Sequence, residues 1–313
     1  MRVGVIGTGS MGTHHARVYK AMKEAELIGV FDTDFAKAKT VAQIYDTKAF
    51  PKLSDLLNEV EAVNICVPTN LHKDIALEAI YKKIHVLVEK PIATTLKEAR
   101  EITEAAAKNG VILMAGHIER FNPVVKMLKE VIILDEVVYM ETQRLGPYPA
   151  YNPQEGVVLD LMIHDIDIIL YLIEDEVKKI HRLALQVKSV QEDIAHVELT
   201  FESGVVAILT ASRISQRRVR ELTVTQRNAH IAADFMSQEV LIRTGLSTEY
   251  VVGQKVRYKQ AGTIEVPYIQ KGEPLERELE NFIGSIQTGE KPLVTGEDGQ
   301  KSLRVALDIL AAS

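Results

Sequence analysis

Three groups of residues in this sequence have the types and spacing needed for chemistry. Gly7-Thr8-Gly9-Ser10-Met11-Gly12 has the G-x-G-x-x-G spacing that brings backbone N–H groups close to a pyrophosphate. Lys90 precedes a proline, which restricts it to extended geometry, and a partly desolvated lysine suits proton exchange with an alcohol or carbonyl. Asp160 and His164 are four residues apart, so on a helix a carboxylate can orient a histidine proton carrier.

The surroundings of the glycine-rich segment predict a dinucleotide site. The apolar run Val3–Ile6 precedes it and a helix-like stretch follows, which is the strand–turn–helix order of the Rossmann motif. Twenty residues beyond Gly12, Asp32 ends a second apolar run and can accept hydrogen bonds from both ribose hydroxyls. Its carboxylate would repel a ribose 2′-phosphate, and neither Thr33 nor Asp34 is an arginine that would receive one. We therefore expect NAD in preference to NADP.

Polar residues also follow three further apolar runs. They are Pro68-Thr69-Asn70-Leu71-His72 after Ala62–Val67, Glu89-Lys90-Pro91 after Val86–Val88, and Gly116-His117 after Val111–Ala115. Each cluster has a structural explanation, as a helix cap, a solvated ion pair or a linker residue. Because ligands of doubly wound sheets bind beyond the carboxyl ends of the strands, three clusters at one mouth favour ligand binding. The expected cofactor contacts are Gly7, Thr8, Gly9, Ser10, Met11, Gly12, Asp32, Thr33, Val67, Pro68, Thr69, Asn70, His72, Glu89, Lys90 and His117.

The pair Asp160 and His164 lies in a predicted helix, Val158–Ile173, and Asp167 falls on the same predicted face. Besides proton transfer, two interpretations stay open for this face. Asp-x3-His can chelate a metal ion, although no third ligand is evident and no metal is expected. Alternatively, the three groups form a solvated helix face.

Composition excludes several classes of protein. The chain has 313 residues with 46% hydrophobic and 26% charged residues, which is typical of a folded globular protein of about two domains. A net charge of −6 argues against general nucleic-acid binding, and no apolar run is long enough to span a membrane. The single cysteine, Cys66, excludes an internal disulfide framework. It fits a reducing compartment, and the opening residues lack the layout of a signal peptide, so we expect a cytoplasmic protein.

Two different orders of strands and helices along the chain must position these residues. The first 115 residues alternate between continuous apolar runs, read as buried strands, and amphipathic helices, which predicts an α/β fold with a Rossmann doubly wound parallel sheet. The predicted strands are Val3–Ile6, Leu27–Phe31, Ala62–Val67, Val86–Val88 and Val111–Ala115. The predicted helices between them are Met11–Lys23, Phe35–Ile44, Leu71–Lys82 and Leu96–Lys108.

The second order of elements begins after about residue 117. An ordered loop is predicted at Gly146–Pro153, and the predicted strands then follow one another without helices between them. They are Lys179–Val187, Ala195–Phe201, Val205–Ser212, Glu221–Thr225, His230–Phe235 and Thr248–Val252. This order predicts a large, mostly antiparallel sheet in a second α/β domain. We expect domains at 1–117 and 118–313, with the terminal helices Pro274–Thr288 and Gly299–Ala312 able to pack back on the first.

In order and spacing, these motifs resemble the glucose–fructose oxidoreductase / inositol dehydrogenase (Gfo/Idh/MocA) family along nearly the whole chain. The resemblance implies NAD(P)-dependent oxidation of a sugar or cyclitol hydroxyl. It assigns Lys90 to the lysine near the nicotinamide, and Asp160 and His164 to the catalytic pair. It also implies a homodimer or homotetramer formed through the C-terminal sheet.

A narrower resemblance is to the branch of this family that oxidises the 3-hydroxyl of UDP-N-acetylglucosamine. It is carried by the segments 116–123, 144–149 and 160–167. The substrate contacts that it suggests are Lys90, Arg120, Asn122, Arg144, Tyr148, Asp160 and His164. The cluster Arg213, Arg217, Arg218 and Arg220 either holds a diphosphate or forms a paired, solvated sheet face. Alternatives are a dehydrogenase of a free sugar or inositol, and a non-catalytic NAD-binding sensor or scaffold.

Overall fold

The structure, a computed structural model, describes residues 1–149, 155–252 and 255–312. The predicted loop residues Ala150, Tyr151, Asn152 and Pro153 lie outside this range. The chain divides into two compact units. The first is Met1–Phe121 with Gly272–Arg304, and the second is Asn122–Lys271 with Val305–Ser313.

The helices are α1 (Ser10–Ala21), α2 (Phe35–Ile44), α3 (Leu53–Leu57), α4 (His72–Tyr81), α5 (Leu96–Asn109), α6 (Pro123–Val131), α7 (Ile163–Ile173), α8 (Pro274–Thr288) and α9 (Gly296–Ala311). Local sequence signals begin and end several of them. The Asp34 side chain accepts from N–H groups in the first turn of α2, and Thr95 accepts from the Glu98 N–H at the start of α5. Gly110 ends α5 in the left-handed conformation, as its Asn-Gly signal predicts. No helix in the described part of the chain has the length and apolarity required to cross a membrane.

The first unit contains a six-stranded parallel sheet. Its strands are β1 (Arg2–Ile6), β2 (Glu26–Phe31), β3 (Lys48–Phe50), β4 (Ala62–Ile65), β5 (His85–Glu89) and β6 (Leu113–Gly116). Their order is β3-β2-β1-β4-β5-β6, which confirms the predicted doubly wound sheet. The order reverses between β1 and β4, so the glycine-rich turn after β1 lies at the point where such sheets bind ligands.

The second unit contains an eight-stranded sheet. Its strands are β7 (Val137–Leu145), β8 (Val177–Leu185), β9 (Ile194–Phe201), β10 (Val206–Ser212), β11 (Val219–Gln226), β12 (Ala229–Asp234), β13 (Glu239–Val252) and β14 (Lys255–Glu265). The order is β14-β13-β12-β11-β7-β10-β9-β8, and only the β7–β10 pair is parallel. This confirms the prediction of a large, mostly antiparallel sheet. The predicted strand at Thr248–Val252 is the end of the longer β13.

Among the strand residues whose burial the structure describes, one face of this sheet is covered and the other is partly exposed. On β10, Ala207 and Leu209 are fully buried, whereas the alternating Val206 and Ile208 are only half-buried. The buried face belongs to a core that includes Leu128 of α6 and residues from α7 and the end of α9. The alternation is typical of an antiparallel sheet with one packed face.

The helix predicted at Val158–Ile173 is interrupted. A wide, π-type turn at Val158–Met162 runs directly into α7. Such turns are frequent at functional sites because the extra residue per turn re-aims side chains. Asp160 therefore lies in the wide turn, and His164 in the first turn of α7.

Candidate functional site

The glycine-rich turn has room for only hydrogen at two positions. Gly7 has φ +90°, and a Cβ there would lie 2.5 Å from the Cys66 carbonyl oxygen. A Cβ on Gly12 would lie 1.8 Å from the Gly7 carbonyl oxygen. At Gly9 a Cβ would meet nothing within 4 Å, so this side of the turn is open. An open approach to the first N–H groups of α1 fits the pyrophosphate of a dinucleotide.

Asp32 is held against the same turn. Its Oδ2 accepts from the Thr8 backbone N–H at 2.7 Å and from the Thr8 hydroxyl at 2.8 Å, and its Oδ1 accepts from the Asp34 N–H at 2.9 Å. Partial burial raises the pKa of Asp32, but these hydrogen bonds outweigh it and hold the pKa below its ordinary value. An ionised, partly exposed carboxylate beside the turn fits the hydroxyls of an adenosine ribose.

The predicted cofactor residues at the strand ends differ in exposure. Ser10, Thr33, Pro68 and Asn70 are exposed, Met11, Val67, Thr69 and Lys90 are half-buried, and His72, Glu89 and His117 are buried. The His72 ring nitrogens lie 2.9 Å from the carbonyl oxygens of Pro91 and Val67. His72 therefore links the segment after β4 to the segment after β5.

A buried hydrogen-bonded chain leads to Lys90. The Tyr19 hydroxyl donates to Asn64 Oδ1 at 2.7 Å, and Asn64 Nδ2 lies 2.6 Å from His15 Nδ1. His15 Nε2 lies 2.8 Å from Glu89 Oε1, and the Lys90 N–H donates to Glu89 Oε2 at 3.3 Å. Because Asn64 Oδ1 accepts from Tyr19, Asn64 Nδ2 donates to His15 Nδ1. His15 then carries its proton on Nε2 and donates it to Glu89. Tyr19, Asn64 and His15 were not predicted from the sequence, although Asn64 is a polar residue within an apolar strand.

Two carboxyl groups next to this chain have opposite shifts. Burial raises the pKa of Glu89, but the hydrogen bond from His15 and the charge of Lys90 lower it overall. Burial and the neighbouring Glu89 charge raise the pKa of Glu278 on α8 well above its ordinary value. The pair therefore shares one negative charge, carried by Glu89, while Glu278 stays protonated.

Among the described residues, His15, Cys66 and Glu89 are the three whose potential metal-ligand atoms all lie within 4.8 Å of one another. Both ring nitrogens of His15 already lie at hydrogen-bond distance from Asn64 and Glu89. Burial and the Glu89 charge raise the pKa of the Cys66 thiol, which keeps it protonated. The donor set is therefore that of a hydrogen-bonded cluster, since a metal would need an open imidazole nitrogen and a thiolate.

In the second unit, Asp160 and His164 are both half-buried, whereas Asp167 is fully buried. The three ionisable groups are thus not equally accessible, and the solvated face that the sequence allowed is not formed by all three. Asp160 lines a cavity of about 330 Å³ within this unit. The other lining residues are Gly146, Pro147, Tyr148, Pro149, Leu161, Arg213, Arg218 and Arg220.

The four clustered arginines have different roles. The buried Arg213 donates to Asp193 Oδ1 at 2.7 Å, to the Glu155 carbonyl at 2.7 Å and to the Ser189 hydroxyl at 2.8 Å. Arg220 donates to the carbonyl oxygens of Leu145 and Val219, both at 2.7 Å. Arg217 and Arg218 are exposed, and of these two only Arg218 lines the cavity.

Other predicted substrate contacts have structural partners. Arg144 is buried and forms an ion pair with Asp165, with Nη2 donating to Oδ1 at 2.7 Å. Asn122 caps α6 by accepting from the Val124 N–H at 3.1 Å, and its amide donates to the Phe235 carbonyl at 3.1 Å. Arg120, in the first unit, is also buried. Tyr148 is the member of this set that reaches the cavity with Asp160.

Comparison with protein-family models places this geometry in a known family. The model of an oxidoreductase family with an NAD-binding Rossmann fold matches residues 1–117, and that of the GFO/IDH/MocA C-terminal domain matches residues 134–231. The chain belongs to the Gfo/Idh/MocA oxidoreductase family. The family confirms the resemblance found in the sequence and supports a nicotinamide cofactor for the glycine-rich turn.

Relatives in this family are named as dehydrogenases of sugars and cyclitols. The UDP-N-acetylglucosamine 3-dehydrogenase of Acidithiobacillus ferrooxidans is 30% identical over 100% of this chain and 97% of its own length. The solved structure of that enzyme matches the structure of this chain with a TM-score of 0.90. The myo-inositol 2-dehydrogenase of Thermotoga maritima is 28% identical over 97% of this chain and 93% of its own length. The glucose-6-phosphate 3-dehydrogenase of Bacillus subtilis is 30% identical over 56% of this chain and 54% of its own length.

Proposed function

We propose that this protein is an NAD-dependent dehydrogenase that oxidises a secondary hydroxyl of a sugar, with the 3-hydroxyl of a UDP-N-acetylhexosamine as the substrate group. The observation that carries the proposal is the end-to-end match with a UDP-N-acetylglucosamine 3-dehydrogenase, at 30% identity and a TM-score of 0.90. The motif Asp160–x3–His164, whose Asp160 lines a cavity, supports it, since oxidation of an alcohol requires a proton acceptor next to the bound substrate.

Asp32 supports the choice of NAD over NADP. Its carboxylate is held ionised by three hydrogen bonds, and a 2′-phosphate placed at the same ribose would meet this fixed negative charge. Affinity measured by titration of each dinucleotide tests this directly. We expect NAD to bind more tightly, and equal affinity for NADP would contradict the assignment of Asp32.

Lys90, Asp160 and His164 are proposed to handle the hydroxyl proton. A bound nicotinamide would supply the acceptor for the hydride, the hydrogen with its electron pair, that leaves the substrate carbon. Either Lys90 or His164 takes the proton, and the other donates a hydrogen bond to the carbonyl oxygen that forms. Asp160 orients His164 and stabilises its charged form.

A substrate panel tests the proposed function. The protein is mixed with NAD and, separately, with UDP-N-acetylglucosamine, N-acetylglucosamine or myo-inositol, and NADH formation is followed by absorbance with a trap for the keto product. We expect turnover with the nucleotide sugar. Lys90→Ala and His164→Ala should keep NAD affinity but lose about 10²–10⁴ in turnover, as removal of a general base does. Unchanged turnover in both variants would remove the catalytic assignment.

Oxidation of a free cyclitol is the second candidate function. The full-length match with a myo-inositol 2-dehydrogenase supports it. Turnover of myo-inositol with no turnover of the nucleotide sugar would select this candidate. Both full-length relatives are named dehydrogenases, which favours an enzyme over a regulatory NAD sensor.

The uncovered face of the second unit's sheet supports a homo-oligomer. On that face, Leu183 and Leu185 of the edge strand β8 are 61% and 51% exposed. A sheet face with such residues is stabilised by packing against a second copy, and we propose a homodimer or homotetramer. Sedimentation velocity should show a species larger than the monomer. A cytoplasmic location stays a prediction, to be checked by cell fractionation.

A further inference from the structure

We propose that the cavity beside Asp160 binds the diphosphate of the substrate and that Arg218 is the residue that selects it. This inference rests on the proposed function and deepens it, because it names the chemical class that separates the intended substrate from a free sugar or cyclitol. The occupant is a pyrophosphate ester, as in a nucleoside diphosphate sugar.

The size and wall of the cavity suit such a ligand. Its volume of about 330 Å³ lies at the lower end of the range for small-molecule sites. Asp160 lines the cavity together with Arg213, Arg218 and Arg220, so one acidic residue and three arginines line the same space. A ligand with an uncharged hydroxyl-bearing end and an anionic end matches this distribution of charge.

The arginines that line the cavity are not equivalent in charge. The positive charge of Arg213 is balanced by the fully buried Asp193, to which its Nε donates at 2.7 Å. Arg218, by contrast, makes no hydrogen bond and no ion pair with any other residue that the structure describes. Its guanidinium therefore has its donors available for an anion, and the planar fork of an arginine fits two phosphate oxygens.

Arg220 adds a fixed charge to the same wall. Its Nη1 donates to the Leu145 and Val219 carbonyl oxygens, which anchors the guanidinium at the end of β7. An anchored cation needs little reorganisation when an anion arrives, whereas Arg218 must give up side-chain freedom. Arg220 thus holds its guanidinium in a fixed position on the cavity wall, and Arg218 supplies the contacts that depend on the ligand's geometry.

The exposed neighbour Arg217 provides a matched control. It carries the same charge one residue away and does not line the cavity. A long-range effect of charge on an anionic ligand should be almost the same for Arg217 and Arg218. Only direct contact distinguishes them, and both substitutions are on the surface, so both variants should fold.

The experiment measures binding of UDP and, separately, of inorganic pyrophosphate to the NAD-loaded protein by isothermal titration calorimetry. The variants are Arg218→Ala, Arg218→Lys and Arg217→Ala, with circular dichroism to verify folding. We expect UDP to bind about tenfold or more weakly to Arg218→Ala, the loss of a charge-assisted hydrogen bond, and Arg217→Ala to match the wild type. Arg218→Lys should recover part of the affinity because it restores the charge but not the fork.

The inference would be overturned by no binding of UDP to the wild-type protein, or by equal losses in Arg217→Ala and Arg218→Ala. The sugar panel separates this from the proposed function. Turnover of UDP-N-acetylglucosamine with an unchanged KM in Arg218→Ala would leave the dehydrogenase in place and remove the phosphate site. UDP binding that depends on Arg218, without turnover of any sugar, would support the site and contradict the proposed reaction.

Discussion

The two units bury charge in different ways. In the second unit, each of two buried aspartates faces an arginine: Asp193 pairs with Arg213, and Asp165 with Arg144. In the first unit, Glu89 is buried near a second carboxyl group, Glu278. Arginine keeps its charge at every physiological pH, so the pairs of the second unit are permanent until the aspartates are protonated. The carboxyl pair of the first unit instead depends on Glu278 keeping its proton.

Each unit is sensitive to a different change in pH. The arginine pairs fix the loops and strands around the cavity, because Asp193 also accepts from the backbone N–H groups of Val187, Lys188 and Ser189. The carboxyl pair is linked to Lys90, whose backbone N–H donates to Glu89. We therefore expect the second unit to lose stability as pH falls below the ordinary carboxyl pKa, and the first to lose stability as pH rises above it.

The largest effect is expected for Asp193→Ala. It leaves the buried Arg213 guanidinium without its carboxylate, and breaking a buried pair in this way costs about 3–5 kcal/mol of unfolding free energy. Urea unfolding measures the loss, and hydrogen exchange followed peptide by peptide should place it in the second unit. A loss below about 1 kcal/mol would mean that the pair contributes no more than a surface contact.

The same aspartate sets a pH dependence. Burial raises the pKa of Asp193, but the N–H groups of Lys188, Arg213, Val187 and Ser189 lower it far below its ordinary value. A carboxyl group with a lowered folded-state pKa stabilises above its unfolded pKa, and this stability disappears as pH falls below about 4. Asp193→Asn should therefore flatten the acid side of the stability profile. An unchanged acid profile would contradict this.

Glu278→Gln should act in the opposite direction. The pKa of Glu278 is raised in the folded state, so the unfolded chain releases its proton first and wild-type stability falls as pH rises above about 4–5. The variant removes up to about 1.4 kcal/mol of loss for each pH unit in that window. Glu280→Gln, at an exposed position of the same helix, is the control and should leave the slope unchanged. If the free energy of unfolding fell more steeply with rising pH in Glu278→Gln than in the wild type, the assignment of the proton to Glu278 would be refuted.

The smallest effect is expected at the surface. Lys48 Nζ lies 3.0 Å from Glu59 Oε2, with both side chains largely exposed. Lys48→Ala should change the free energy of unfolding by about 0–1 kcal/mol, and salt should reduce the difference further. A loss as large as that of Asp193→Ala would show that burial is not what distinguishes the ion pairs.

The sequence predicted those parts of the fold and site that depend on neighbouring residues. Gly7, Gly12 and Asp32 lie within one strand–turn–helix–strand unit, where backbone geometry requires the residue types. By contrast, β3 has three residues and no apolar run, so its pattern carried no signal.

Side-chain partners that are far apart in sequence could not be predicted in this way. Nothing local indicates that Glu278 lies near Glu89. The arginines at 213–220 are similar in sequence, yet burial and partners give Arg213 a structural role and leave Arg218 at the cavity. Such differences depend on which strand end faces which loop, and this is a property of the folded sheet.

The most direct test of the account uses UDP-N-acetylglucosamine that carries deuterium at carbon 3 of the sugar. The labelled substrate is incubated with the protein and NAD, and the reduced dinucleotide is analysed by mass spectrometry. The account predicts that the reduced dinucleotide contains the deuterium and that the His164→Ala protein produces far less of it. Reduced dinucleotide without the label, or none in the presence of the keto-product trap, would contradict the proposed reaction.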